Sequence, residues 1–128
     1  MELTLELPGI QLGALEWHPH PAVRRPPRTA ASTDTPLPVP PPRRVLALHG
    51  RLDNAASFGG LAPLLAAAGY HVVAIELPGH GRSGWFADGM YSSGRLAVVL
   101  LQALEALKWW GPTLPPPSTA AGAFLTWA

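Results

Sequence analysis

Two short apolar runs constrain this chain more than any other feature. Val45-Leu46-Ala47-Leu48 ends at His49-Gly50, and His71-Val72-Val73-Ala74-Ile75 ends at Glu76-Leu77-Pro78-Gly79. Neither run alternates apolar with polar residues, so each reads as a strand covered on both faces. Between them, Phe58, Leu61, Leu65 and Ala68 recur at helical spacing up to Gly69, a residue suited to the end of a helix. Ser57 is the expected N-cap of that helix, and Pro63 fits only within its first two turns. After a glycine-rich stretch from Gly79 to Gly94, Leu96, Leu100, Ala103, Leu104 and Leu107 mark a second helix with a broad apolar face. Strand, helix, strand, helix at these lengths predicts a βαβα unit over 45–110, with right-handed crossovers and a mainly parallel sheet.

The flanking segments have different textures. Leu3, Leu5 and Leu7 alternate with Glu2, Thr4 and Glu6, the period of a half-buried strand. Pro8-Gly9 supplies turn chemistry, and Gln11 to Trp17 reads as a second strand, so 1–17 is expected to form a β-hairpin. In that second strand Leu12, Ala14 and Glu16 share one face, with Leu15 and Trp17 placed differently. From His18 to Arg44 there is no apolar periodicity. Nine of the chain's 16 prolines lie there, with five arginines, and the segment 18–44 is expected to be an extended, disordered linker. The tail 111–128 opens with Gly111-Pro112 and holds Pro115-Pro116-Pro117, so it is expected to be irregular and to add no third parallel strand.

Composition excludes several classes of function. A length of 128 residues allows one domain at most. Without cysteine the chain has no disulfide framework and no thiolate metal site. A net charge of +1 gives no case for a nucleic-acid partner. No basic, apolar leader opens the sequence, and its longest apolar run, Leu96 to Leu101, is far short of the ~20 residues of a membrane span. The expectation is a cytoplasmic protein, with peroxisomal or other intracellular sites also open, and with no cofactor and no metal.

Polar groups gather in two loops at the carboxyl ends of the two apolar strands, where open α/β sheets place ligands. One is His49-Gly50-Arg51-Leu52-Asp53-Asn54; the other is Glu76-Leu77-Pro78-Gly79-His80-Gly81-Arg82-Ser83. Taken together, "VLALHGRLDNAASFGGLAPLL", "YHVVAIELPGHGRSG" and "ALEALKW" resemble the N-terminal third of α/β-hydrolases, most of all the serine hydrolase-like branch with its HG-x-LDN-(A)-x-SF pattern. The resemblance covers 45–110 well and 1–17 loosely. It implies a partial α/β-hydrolase fold, with the hairpin leading into the βαβα unit, and a parent activity of ester-type acyl hydrolysis on a small substrate.

The same resemblance implies roles for single residues. His49, Gly50 and Arg51 would form the oxyanion-hole turn, with the Arg51 backbone N–H as donor where the family usually carries an aromatic residue. Such a donor is worth about 3–4 kcal/mol to a developing oxyanion. Glu76, Gly79, His80, Gly81 and Ser83 would form the cavity-floor turn, with Glu76 in place of the family's usual Asp. Asp53 would be structural. The family's nucleophile sits in G-x-S-x-G, on the turn after a strand that pairs with Val45–Leu48. Ser32, Ser57, Ser83, Ser92, Ser93 and Ser118 all lack that frame; Ser83 has Gly81 before it but Trp85 where the second glycine belongs. No catalytic nucleophile, acid or His is therefore expected among these residues, which read as a truncated and, alone, inactive hydrolase. Without the elbow strand, Val45–Leu48 would be an unpaired edge and an aggregation liability.

Other features have simpler readings. His18-Pro19-His20 offers two histidines without further ligands, too few to assign a metal site. His71 reads as a strand-boundary residue, and Trp109-Trp110 as the apolar end of a helix. Pro38-Val39-Pro40-Pro41-Pro42-Arg43 fits the P-x-x-P-x-R pattern of SH3-type ligands, carried by Pro38, Pro41 and Arg43. Such matches arise often by chance in proline-rich sequence, so a spacer is preferred. A non-catalytic interaction protein using that segment or an exposed sheet edge is the alternative reading.

Overall fold

A computed structural model describes residues 1–20 and 42–109, and the backbone of a strand at 122–126. One five-stranded sheet organises it, in the order β1-β2-β4-β3-β5. Strands β1 (Glu2–Leu7) and β2 (Ile10–Trp17) form the expected hairpin, with Leu7 opposite Ile10 across the Pro8-Gly9 turn. Gly9 sits at φ +78°, where glycine alone is unstrained. Strands β3 (Arg43–Leu48) and β4 (Tyr70–Ile75) pair in parallel, and β2 pairs antiparallel with β4.

The unbroken apolar character of β3 and β4 follows from cover on both faces. Leu46, Val73 and Ile75 join Leu5, Leu12 and Ala14 under helix α2 (Ser93–Ala106), whose Val99, Ala103 and Leu104 are buried against them. Val45, Ala47, Val72 and Ala74 face the other way, toward Phe58 and Ala62. Burying a Val, Leu or Ile side chain contributes about 1.5–3 kcal/mol, so these two clusters dominate the favourable side of folding. On the second face, a 3₁₀ turn at Ala55–Gly59 precedes helix α1 (Leu61–Ala67). Asn54, rather than Ser57, caps that turn by accepting from the Ala56 N–H at 2.9 Å. The buried residues of α1 are Ala62 and Ala66, while Leu61 and Leu64 are exposed. Phe58 and the half-buried Leu65 keep their expected places on the inner face, whereas Leu61 and Ala68 turn outward and the small Ala62 and Ala66 let the helix lie close on the sheet. Gly69, at φ +95°, ends the helix as expected.

Two boundaries differ from the sequence expectation. Strand β3 begins at Arg43, inside the segment read as linker. The remainder of that linker, 21–41, lies outside the described residues, as does the tail up to 121. The larger correction is β5 (Gly122–Thr126), which pairs in parallel with β3 from Arg44↔Gly122 to Leu48↔Thr126. The tail therefore does supply a third parallel strand, and β3 is an interior strand of the sheet. The aggregation argument built on an unpaired β3 edge falls away with it. Pro115-Pro116-Pro117 had hidden the strand, but the last of these prolines stands five residues before β5 and removes none of its hydrogen bonds.

Candidate functional site

Parallel pairing of β3 with β4 brings both polar loops to one end of the sheet. His49 follows β3 and is buried. Its Nε2 accepts from the Leu77 N–H at 3.0 Å, so its Nδ1 is the protonated nitrogen, donating to the Gly50 carbonyl at 2.8 Å. Both ring nitrogens are thereby committed to tying one loop to the other. His80 lies beside it, ring centroids 5.0 Å apart, with its own Nδ1 directed at the Pro78 carbonyl, 3.1 Å away. The two histidines of the site are thus a clamp and its neighbour.

The loop after β4 is closed around a buried carboxylate. Glu76 accepts from the Arg82 backbone N–H at 2.6 Å, and its Oε2 lies 3.5 Å from the Arg82 guanidinium. Two glycines give it room. A Cβ at Gly81, where φ is +50°, would stand 2.4 Å from the Glu76 carboxyl carbon, and a Cβ at Gly13 would stand 2.5 Å from Oε2. Ser83 is buried next to them. Its hydroxyl accepts from the Gly13 N–H at 2.9 Å and donates to the Glu76 carbonyl, pinning the loop to β2. Backbone turns complete the closure, with Gly79 donating to Gly84 at 2.8 Å and Ser83 to His80 at 2.9 Å.

The loop after β3 is open by contrast. Asp53 donates from its backbone to the Gly50 carbonyl at 3.3 Å, closing a four-residue turn with Arg51 and Leu52 at its centre. Leu52 stands at φ +64°, a strained value for a bulky side chain, and is 90% exposed. Among the described residues the Arg51 N–H donates no hydrogen bond. Asp53 accepts from the Ser57 hydroxyl and the Asn54 N–H, and these bonds, the first the larger, hold its carboxyl below the usual carboxylate range.

Of the residues the sequence singled out, the structure brings His49, Gly50 and Arg51 together with Glu76, Gly79, His80, Gly81 and Ser83. Arg43 is placed elsewhere, in β3, its guanidinium 5.9 Å above the Tyr70 ring. Pro38 and Pro41 lie outside the described residues. A further cluster appears that the sequence reading left dispersed: Glu16, His18 and His71 converge at the opposite end of β2 and β4. Burial chiefly depresses the His71 imidazole below its ordinary value of 6.5, against the opposing pull of Glu16. Fifty-three residues separate His18 from His71 in the chain, so only the register could have joined them.

Comparison with known proteins agrees with this geometry. A family profile described as the alpha/beta hydrolase fold matches residues 43–113, more than half of the chain. A serine hydrolase-like protein of Homo sapiens is 43% identical over 66 residues, covering 51% of this chain and 32% of that protein. One from Dictyostelium discoideum is 41% identical over 71 residues, 52% of this chain and 19% of that protein. The chain thus spans a third or less of the length of these relatives. Among solved structures, a hypothetical protein of Pseudomonas aeruginosa superimposes with a TM-score of 0.63 at 36% identity, over 84% of this chain and 31% of that one. The Cif epoxide hydrolase of Acinetobacter nosocomialis reaches 0.68 over 98% of this chain and 29% of its own, at 17% identity, which speaks for the fold alone.

Proposed function

The chain belongs to the α/β hydrolase fold family, and from that premise we propose that its residues carry the oxyanion side of a hydrolase for small ester-type substrates. The observation that carries this reading is the open turn at Gly50–Asp53, beside a closed loop, at the carboxyl ends of the parallel strands β3 and β4. An unengaged backbone N–H at Arg51 suits a donor that waits for charge to develop on a substrate oxygen. The His49 clamp supports the same role, because it fixes the turn's approach without spending that N–H. Strand β5, alongside β3, lies in the lane where the resemblance puts the strand that leads to the nucleophile.

The same reading holds that these 128 residues do not hydrolyse esters by themselves. No serine in the sequence has the G-x-S-x-G frame. The nearest, Ser83, has its hydroxyl held by the Gly13 N–H and the Glu76 carbonyl, with no imidazole bonded to that hydroxyl to take its proton. The alternative of an SH3-type ligand is weakened, since Arg43 is drawn into β3 and stacked on Tyr70.

A chimera tests the oxyanion assignment. Residues 43–106 of this chain would replace their counterparts in a full-length serine hydrolase-like relative, assayed on a short activated ester. Arg51→Pro deletes the N–H at a turn position that proline tolerates. Its kcat is expected to fall by roughly 10²–10³ relative to the parent chimera, the usual effect of losing one such donor. An unchanged kcat would remove Arg51 from the site.

A further inference from the structure

At the end of the sheet away from these loops, three potential ligands meet with no part in the reading above. Continuing the β2–β4 register one step past Trp17↔Val72 sets His18 opposite His71. Their rings stack with centroids 4.7 Å apart. Glu16, two residues before His18 and on the same face, reaches between them. The His71 Nε2 donates to Glu16 Oε1 at 2.7 Å, and the His18 Nε2 lies 3.4 Å from Oε2. One ligand atom from each of the three lies within 4.8 Å of the others.

We propose that Glu16, His18 and His71 form a zinc site, three protein ligands with water completing a tetrahedron, which ties the end of β2 to the start of β4. The donor set of two imidazoles and a carboxylate is one that zinc takes. Donors about 2.0–2.1 Å from a tetrahedral zinc stand roughly 3.3 Å from one another, so the present spacing needs only a modest swing. His18 can supply it, because its side chain is 57% exposed while Glu16 and His71 are held at 11% and 15%. A neutral His71 needs only to carry its proton on Nδ1 for Nε2 to become a ligand. Trp109, three residues past the end of helix α2, packs edge-on against His71 at 5.0 Å and braces the ring. Among the described residues the nearby positive charges are Arg44, whose guanidinium lies over Trp109 at 5.7 Å, and the N-terminal ammonium, which donates to the Glu16 carbonyl at 2.7 Å.

The placement makes the site structural. His71 is five residues before Glu76, so about 16 Å of strand separates the cluster from the loops at the far end. His18 also stands where the chain leaves the sheet for the proline-rich segment. Zinc there would anchor that exit.

The full chain, freed of metal, would be titrated with zinc chloride by calorimetry, with Co²⁺ absorption reporting ligand geometry. The expected result is one zinc per chain, a tetrahedral cobalt spectrum, and a Tm that rises with zinc and returns with chelator. His18→Ala, at an exposed position that leaves the fold intact, is expected to weaken binding by at least about tenfold. Glu16→Gln should weaken it as well, whereas His80→Ala at the far end should bind like the parent. Absence of binding, or binding that His18→Ala leaves unchanged, would overturn the site. Equal loss in His80→Ala would do the same.

Discussion

The two loops that meet at the carboxyl end of the sheet are built on opposite plans. After β4, Glu76, Gly81, Ser83 and Gly13 interlock, and every polar group named there has its partner inside the protein. After β3, the turn is exposed, carries a left-handed leucine and leaves a backbone donor unengaged among the described residues. A closed loop of this kind fixes distances, because the polar groups that interlock there are engaged within the protein. An open, strained one is poorly stabilised by its own contacts and is free to meet a substrate. On the proposed reading the same difference accounts for Ser83, the serine closest to the family frame, which lies in the closed loop with its hydroxyl held by Gly13 and Glu76.

Substitutions should separate the two plans by sign as well as size. Gly81→Ala has the largest expected effect. It forces a Cβ against the Glu76 carboxyl at φ +50°, and left-handed strain with overpacking should cost about 3 kcal/mol or more. A urea melt would then show most of the chain's cooperative stability gone; a loss under about 1 kcal/mol would mean that the cradle yields. Ser83→Ala comes next. It strands the buried Gly13 N–H and should cost about 1–3 kcal/mol. Leu52→Asn, in the open loop, should go the other way, raising stability by about 0.5–1 kcal/mol because asparagine tolerates the left-handed region. A destabilised Leu52→Asn would show that the leucine makes contacts that matter.

The smallest effect is a pH slope unrelated to either loop. With chelator present, His71 is depressed below 6.5 in the fold. The unfolded chain therefore binds more protons than the native one as pH falls through 6.5, and native stability declines over that window until the folded imidazole also protonates. Above about pH 7 the contribution is constant. His71→Gln should flatten the decline between about pH 7 and 5; an unchanged slope would assign it to other groups.

Much of this was legible in the sequence, for identifiable reasons. Apolar runs of four and five residues ending in His-Gly and Glu-x-Pro-Gly fixed β3, β4 and the end of the sheet where polar groups collect. The Leu3-Leu5-Leu7 alternation and Pro8-Gly9 gave the hairpin. What escaped depends on contacts distant in sequence. Strand β5 has no periodicity in five residues and acquires meaning only beside β3. The burial of Ala62 and Ala66 rather than Leu61 follows from how closely α1 approaches the sheet. Within the site, the residues of both loops were readable, but the roles of Gly13 and Gly81 around Glu76 were not, because a glycine's neighbours are invisible in the chain. Glu16, His18 and His71 meet only through strand register.

The central claim is that the residues of this chain hold an oxyanion-side scaffold without a nucleophile. Incubating the purified chain with a fluorophosphonate probe and mapping any adduct by mass spectrometry tests it directly. The account predicts no labelled serine, Ser83 included, and no hydrolysis of a short activated ester above the buffer rate. Stoichiometric labelling of any serine, with matching esterase activity lost on its substitution by alanine, would contradict it.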